Sequence, residues 1–161
     1  MNVESQLCTS CGLCCTGALH DGVKLQANEI EPARSIGLPV KVDASSTIFA
    51  LPCPKLEGTA CTIYAVRPSA CAAYACRLLE EVRGGRSLDT ALPVVAEARR
   101  LAGVLRAALT PETSFSASRT RRRAGTGSAE VLVRSFALDH YLDRHFRNRS
   151  EGPILSSEIA S

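Results

Sequence analysis

The sequence predicts a mainly α-helical fold with irregular loops, in which a small cysteine-rich module precedes a helical C-terminal part. The first supporting observation is that all eight cysteines of the 161-residue chain lie within its first 76 residues. The second is that residues 90–109 and 128–147 carry apolar side chains at helical spacing. The third is composition: aromatic residues make up only 4% of the chain, so small aliphatic side chains must build the core.

The length fits one domain, or one compact module with an appendage. We therefore expect a cysteine-cluster module at residues 1–83, a helical extension packed on it at 84–150, and a disordered tail at 151–161. The glycine pair at 84–85 marks a hinge between the first two parts.

The N-terminal module should contain only short elements. We expect a short helix over 27–36, and one or two short strands between Pro39 and Pro52. Gly58 and the residue after it predict a turn. A further helix should begin at Arg67–Pro68, with proline at its first position. That helix must end or break before residue 76, because cysteines five residues apart would otherwise lie on different faces.

The first long helix is predicted over residues 90–109. Ser87, Asp89 or Thr90 would cap it, and Pro93 is tolerable only because it would fall in the first turn. The apolar stripe that supports this helix comprises Val94, Ala98, Leu101, Leu105 and Ala108.

Residues 110–128 are rich in Thr, Ser, Gly and Arg and are predicted to form a mobile loop. Their basic run, Arg119–Arg123, could contact phosphates, but a solvated loop is the preferred interpretation, so a nucleic-acid partner is not expected. A second helix should begin at 128 or 129 and reach about 147, although 131–133 could instead be a strand. Its stripe comprises Val131, Leu138, Leu142 and Phe146.

The N-terminus lacks the basic and apolar regions of a secretory signal, and no apolar run is long enough to form a transmembrane helix. We therefore expect a cytoplasmic protein with no membrane partner. Because disulfides rarely persist in a reducing compartment, eight cysteines favour a metal or cluster site over a disulfide framework. One or two of them could instead be buried core residues.

The cysteine spacing itself indicates a soft-metal site. A C-x2-C pair is half of a tetrahedral zinc site, and C-x2-C-x2-C is also the spacing of the bacterial ferredoxin run for a [4Fe–4S] cluster. Spacing does not choose between zinc, iron and a cluster. The candidate ligands are Cys8, Cys11, Cys14, Cys15, Cys53, Cys61, Cys71 and Cys76.

One grouping of the ligands follows from the ferredoxin comparison. Cys53 precedes a proline, as the remote cysteine of the ferredoxin run does, so it would complete a set with Cys8, Cys11 and Cys14. Cys15 would then join a second site with some of Cys61, Cys71 and Cys76. His20, near the cysteine run, is an alternative ligand.

The full pattern is Cys8-x2-Cys11-Gly-x-Cys14-Cys15, then Cys53, then Cys61-x-Ile-Tyr64-x2-Arg67-Pro68-x2-Cys71-x2-Tyr74-x-Cys76. Over roughly residues 8–76 it resembles the CxxCxxCC family of zinc- or iron-chelating bacterial proteins. The resemblance implies a small cysteine-cluster domain, and the family includes the larger flagellin lysine N-methylases.

The chain departs from the family pattern at two positions. Ala72 stands where the family usually has arginine after a cysteine, and Ala75 stands where it often has proline. Arg77 is the nearest cation that could compensate for the missing arginine.

Two interpretations of the arginine and tyrosine side chains between the cysteines stay open. Arg67 could offset thiolate charge while Tyr64 and Tyr74 shield sulfur from water, or Tyr64 could simply pack and Arg67 begin a helix. No catalytic residue stands out.

The sequence therefore predicts a protein that binds zinc, iron or an iron–sulfur cluster, with the metal stapling the loop-rich module. Its role could be structural, with the module as an adaptor for a protein partner, or it could involve electron transfer or metal handling. The alternative is an iron–sulfur-dependent enzyme, either redox or similar to a protein lysine methylase.

Overall fold

The fold is that of a computed structural model, which describes residues 2–149 and 151–156. These residues are 54% helical and also form two sheets, so the fold is mixed α/β rather than purely helical. The helices are α1 Val3–Cys11, α2 Ile30–Ser35, α3 Ser69–Ala73, α4 Arg77–Arg83, α5 Leu88–Ala108, α6 Phe115–Arg123 and α7 Ala129–His145. The strands are β1 Gly22–Lys24, β2 Val40–Val42, β3 Thr47–Ala50, β4 Leu56–Glu57, β5 Ala60–Cys61 and β6 Ile154–Leu155.

The larger sheet has the strand order β2-β3-β1-β6. The β2–β3 and β1–β3 pairs are antiparallel, with Val23 opposite Phe49, and the strands predicted between Pro39 and Pro52 are confirmed. Strand β6 pairs with β1 in parallel, placing Leu155 opposite Val23. The expected disordered tail is therefore wrong for residues 154–155, because this non-local pairing orders them; residues 157–161 lie outside the described residues.

The short elements of the N-terminal part follow their local signals. Residues 27–29 form a 3₁₀ turn, closed by reciprocal Gln26 and Glu29 side-chain hydrogen bonds, which leads into α2. The turn predicted at Gly58 joins β4 to β5 in a hairpin. Pro68 caps α3 rather than occupying its first position. Helix α3 ends at Ala73, which confirms the break expected before residue 76.

Apolar side chains pack into two clusters. The first lies between α1, α4, α5 and α7 and includes Leu7, Leu78, Ala98, Leu105 and Leu142. The second lies on the larger sheet and α2 and includes Val23, Ala33, Leu38, Phe49 and Leu155. Within the described residues, no helix is both long and apolar enough to cross a membrane.

Helix α5 begins at Leu88, about two residues earlier than predicted. Pro93 consequently lies in the second turn rather than the first, where it cannot donate a hydrogen bond to the carbonyl of Asp89. The buried face is also rotated slightly from the predicted stripe, since Val94 and Leu101 are only partly buried. The fully buried residues of α5 are Ala91, Val95, Ala98, Ala102 and Leu105.

The mobile loop predicted at 110–128 is wrong, because Phe115–Arg123 forms helix α6. The Ser114 side chain caps this helix by accepting a hydrogen bond from the amide of Ala117. Helix α7 is confirmed from its Ser128 cap to His145, and the alternative strand at 131–133 is not formed.

Two arginines of the C-terminal part, Arg119 on α6 and Arg147 just after α7, hold the segment that follows the cysteine run, residues 17–21. Arg119 of α6 is 7% exposed and donates to the carbonyls of Gly17 and Ala18, both at 2.9 Å, and to the Asp21 carboxylate. Arg147 donates to the Ala18 carbonyl as well, at 2.9 Å. The basic run thus supplies a buried structural contact rather than a solvated loop.

Candidate metal centre

The cysteine run begins on a helix and ends on a tighter turn. Cys8 and Cys11 lie three residues apart near the end of α1, a spacing that puts both side chains on one helical face. Gly12 ends α1 with φ of 67°, a left-handed conformation that favours glycine, and its amide donates to the Cys8 carbonyl at 3.2 Å. A 3₁₀ turn over Leu13–Cys15 then carries the last two cysteines of the run.

The β4–β5 hairpin packs directly against this turn. A Cβ atom added at Gly12 would lie 3.0 Å from the Cα of Thr59, so only glycine allows the approach without displacement. The Thr59 hydroxyl donates to the carbonyl of Thr9. This contact brings Cys61, at the end of β5, beside the cysteines of α1.

The remaining cysteines are positioned by backbone contacts and element ends. The amide of Cys53 donates to the carbonyl of Cys15 at 2.8 Å, which fixes Cys53 beside the run. Cys71 lies in the middle of α3, and Cys76 caps α4.

All eight cysteines are free thiols and line one cavity of about 150 Å³, together with mostly apolar side chains. Small-molecule sites usually measure roughly 300–1,000 Å³, so this size suits an ion or a compact cluster better than an organic substrate. Within the described ranges no three His, Cys, Asp or Glu side chains are arranged to hold a metal ion. The donor set, soft sulfur in an apolar cavity, fits zinc or iron.

Burial and crowding favour the protonated form of several of these thiols. Burial, with a smaller contribution from neighbouring thiols, raises the pKa values of Cys11, Cys71 and Cys76 to about 12. The hydrogen bond that the Cys14 thiol donates to Cys15, together with burial, raises the pKa of Cys14 well above its ordinary value. A bound cation would reverse this effect, because metal coordination favours the thiolate.

Electrostatic interactions between the thiols show which of them are neighbours. Cys14 acts on Cys8, and Cys8 and Cys14 both act on Cys11 and Cys76, so these four form one group. Cys61 acts on Cys53 and Cys71, and these three form a second group. Cys14 also acts on Cys53 and Cys71 and is hydrogen-bonded to Cys15, so it lies between the two groups. Packing gives a matching division: Cys11, Cys14 and Cys76 contact the first apolar cluster, whereas Cys15, Cys53 and Cys71 belong to or contact the second. The cysteines therefore lie where the two clusters meet.

Arg67 and the tyrosines lie at the same cavity. The Arg67 guanidinium stacks 3.7 Å from the centre of the Tyr64 ring and counteracts the rise in the pKa values of Cys8 and Cys71. Tyr64 is 59% exposed, whereas Tyr74 is partly buried in the lining. Arg67 is thus placed to offset thiolate charge.

Arg77, the cation expected to compensate for Ala72, donates to the Arg144 carbonyl at 2.7 Å. Arg99 of α5 is a cation near the thiols that the sequence analysis did not identify. It donates to the Ser10 carbonyl at 3.2 Å and its charge opposes the rise in the pKa of Cys11. Its only sequence signal was a position off the apolar stripe of α5.

The histidines are not brought together. His20 is 1% exposed and packs edge-on against Tyr74, with ring centres 4.8 Å apart, but it is not among the residues lining the cavity. His140 is exposed and His145 half-buried on α7, away from the thiols.

Comparison with known proteins gives one match. The model of the CxxCxxCC family, described as a putative zinc- or iron-chelating domain, matches residues 7–88, just over half of the chain. Neither the curated proteins nor the solved structures contain a match to the chain. The family description supports metal binding by this chain. On the family match and the cysteine pattern together, the chain belongs to the CxxCxxCC family.

Proposed function

We propose that this protein binds zinc or iron through its cysteine thiolates, and that the metal joins the two apolar clusters. The observation that carries the proposal is that eight thiols from positions 8 to 76 line a single cavity between those clusters. Thiolate sulfur selects zinc, iron or iron–sulfur clusters over hard cations. We also infer a cytoplasmic location, because eight cysteines without disulfides suit a reducing compartment.

Thiol neighbours and packing against the apolar clusters support two ligand sets that differ from the ferredoxin-like set. Cys14 neighbours thiols of both sets and joins the first because it packs against the first apolar cluster. The first set comprises Cys8, Cys11, Cys14 and Cys76. The second set comprises Cys15, Cys53, Cys61 and Cys71. Each set supplies the four thiolates that a tetrahedral metal or a [4Fe–4S] cluster takes.

A structural role follows from this position. Three cysteines of the first set, Cys11, Cys14 and Cys76, contact the first apolar cluster. Three of the second set, Cys15, Cys53 and Cys71, belong to or contact the second apolar cluster. Cys14 and Cys15 are adjacent in the chain. Metal bound at both sets would therefore cross-link the two clusters at their junction. Because the unfolded chain offers no preformed site, metal binding would contribute directly to folding stability.

Anaerobic purification followed by metal analysis tests the proposal. We expect two metal sites per chain; bound iron with sulfide and visible absorption would identify iron–sulfur clusters, and colourless protein with zinc would identify zinc sites. Protein that carries no metal and keeps its unfolding midpoint in chelator would refute metal binding.

Two double variants test the grouping. If Cys8 and Cys76 share one site, Cys8→Ser/Cys76→Ser retains half of the wild-type metal, whereas Cys8→Ser/Cys53→Ser loses both sites. The ferredoxin-like set predicts the opposite pair of results. Each double variant removes two thiols, so each serves as the matched control for the other.

A further inference from the structure

A second cavity adjoins the thiol cavity on the side of α5. It has a volume of about 440 Å³, within the usual range for small-molecule sites. Cys11, Cys53 and Thr59 line both cavities, so the two share a wall. A ligand in this second cavity, which we call the α5 groove, would lie directly beside the thiols.

One face of α5 builds the basic side of the groove. Arg99, Ala102, Gly103 and Arg106 are spaced by three or four residues and therefore lie on one helical face. At Gly103, an added Cβ atom would meet no atom within 4 Å, so packing does not require the glycine. Its missing side chain leaves open space between the two arginines.

The two arginines are anchored only by neutral groups. Arg99 donates to the Ser10 carbonyl, and Arg106 donates to the carbonyls of Thr113, at 2.7 Å, and Thr110. Among the ion pairs of residues 2–149 and 151–156, neither arginine has a carboxylate partner. By contrast, the adjacent Arg100 pairs with Glu97 at 2.7 Å.

The other walls of the groove add no carboxylate. Among the described residues no aspartate or glutamate lines it, and its hydroxyl side chains are Thr16, Thr59 and Ser114. The Thr16 and Thr59 hydroxyls donate to the backbone carbonyls of Leu13 and Thr9, which leaves the Ser114 hydroxyl to donate to a ligand. Ser114 caps α6, so the positive end of that helix also faces the groove. Two guanidinium groups, the Ser114 hydroxyl and a helix N-terminus together favour an oxyanion.

We propose that the α5 groove binds a small ligand bearing an oxyanion, a carboxylate or a phosphate, against the shared wall of the thiol cavity. Arg99 and Arg106 hold the anion, and Gly103 leaves room for it. This site goes beyond metal binding, and its affinity for an anion can be measured whether or not the thiols hold metal. The competing explanation is that these arginines only offset thiolate charge.

The test titrates the full-length protein, as purified, with inorganic phosphate and separately with malonate, followed by calorimetry. We expect saturable binding, weakened at least about tenfold by Arg99→Gln, because a charge-assisted hydrogen bond is lost. Gly103→Glu, which puts a carboxylate into the groove, should abolish binding. Arg100→Gln, one residue away and outside the groove, is the matched control and should bind like wild type.

Thermal unfolding of each variant establishes that it is folded before the titration is compared. Tighter phosphate binding assigns a phosphate-bearing ligand, and tighter malonate binding assigns a carboxylate ligand. Absence of saturable binding of both anions overturns the proposal. Equal weakening by Arg99→Gln and Arg100→Gln also overturns it, since the effect would then reflect general charge.

Discussion

Replacing Arg119 with alanine should destabilise the whole protein, because this side chain links α6 to the segment that follows the cysteine run. The substitution removes two hydrogen bonds to the carbonyls of Gly17 and Ala18 and the ion pair with Asp21. The Arg119 side chain is 8% exposed and that of Asp21 is 26% exposed. Water could rehydrate the carboxylate in part, but it reaches the buried carbonyls poorly.

The expected loss is about 3 kcal/mol in the free energy of unfolding. Removing one partner of a buried, hydrogen-bonded ion pair costs roughly 3–5 kcal/mol, and the partial exposure of Asp21 places this case at the lower end. Since a domain is stable by only about 5–15 kcal/mol, the loss is a large fraction of the total. For a chain of this size it corresponds to a fall in Tm of roughly 6–12 °C.

Urea and thermal unfolding followed by circular dichroism measure this loss. Arg121→Ala is the matched control, because Arg121 is exposed on another face of the same helix, and it should change stability by less than about 0.5 kcal/mol. The metal-loaded Arg119→Ala protein should also lose metal to a chelator faster than wild type, since residues 17–21 follow Cys15 directly. If Arg119→Ala unfolds at the same urea concentration as Arg121→Ala, the reasoning is refuted.

Three further substitutions test local parts of the account. Burial lowers the pKa of His20 to about 4, so the unfolded state protonates first as the pH falls below the ordinary value of 6.5. Between pH 6.5 and 4, the free energy of unfolding of wild type should therefore fall by about 3 kcal/mol relative to that of His20→Phe. The control His140→Gln, at an exposed position, should show the same pH dependence as wild type. A difference between wild type and His20→Phe that does not change with pH would contradict this. Gly12→Ala should cost at least about 1 kcal/mol in urea unfolding, because it combines a left-handed φ with a close approach to Thr59; wild-type stability would show that the hairpin does not rest on this turn. Gly103→Ala should raise stability by about 1 kcal/mol, because alanine favours the helix and its Cβ enters open space; a lower Tm would mean that the glycine is needed for packing.

Elements with strong local signals were predictable from the sequence. Helix α7 combines a serine cap with a regular apolar stripe, and its predicted span agrees with Ala129–His145. The turn at Gly58 and the break between Cys71 and Cys76 likewise follow from local geometry. Each of these features depends on residues that are close in the chain.

The elements that were missed depend on distant partners. Helix α6 has no apolar stripe, because its buried face is Phe115, Ser118 and Arg119, and the arginine is satisfied by carbonyls about 100 residues earlier. Strand β6 is two residues long and exists through its pairing with β1. No periodicity in either segment could reveal these contacts.

The candidate site was predictable in composition but not in arrangement. Spacing identified all eight cysteines, and the structure places them around one cavity. The spacing could not identify which thiols are neighbours. That depends on the hairpin docking at Gly12 and on the hydrogen bond from the Cys53 amide to the Cys15 carbonyl. Arg99 was missed because it lies 88 residues after Cys11 in the sequence, and only the packing of α5 places it near the thiols.

X-ray absorption spectroscopy at the metal edge of the anaerobically purified protein tests the central claim most directly, because it reports which atoms surround the metal. The account predicts zinc or iron with four sulfur neighbours, at about 2.3 Å for zinc. A shell of nitrogen and oxygen alone, at roughly 2.0–2.2 Å, would contradict it and would show that the cysteine cavity is not the metal site.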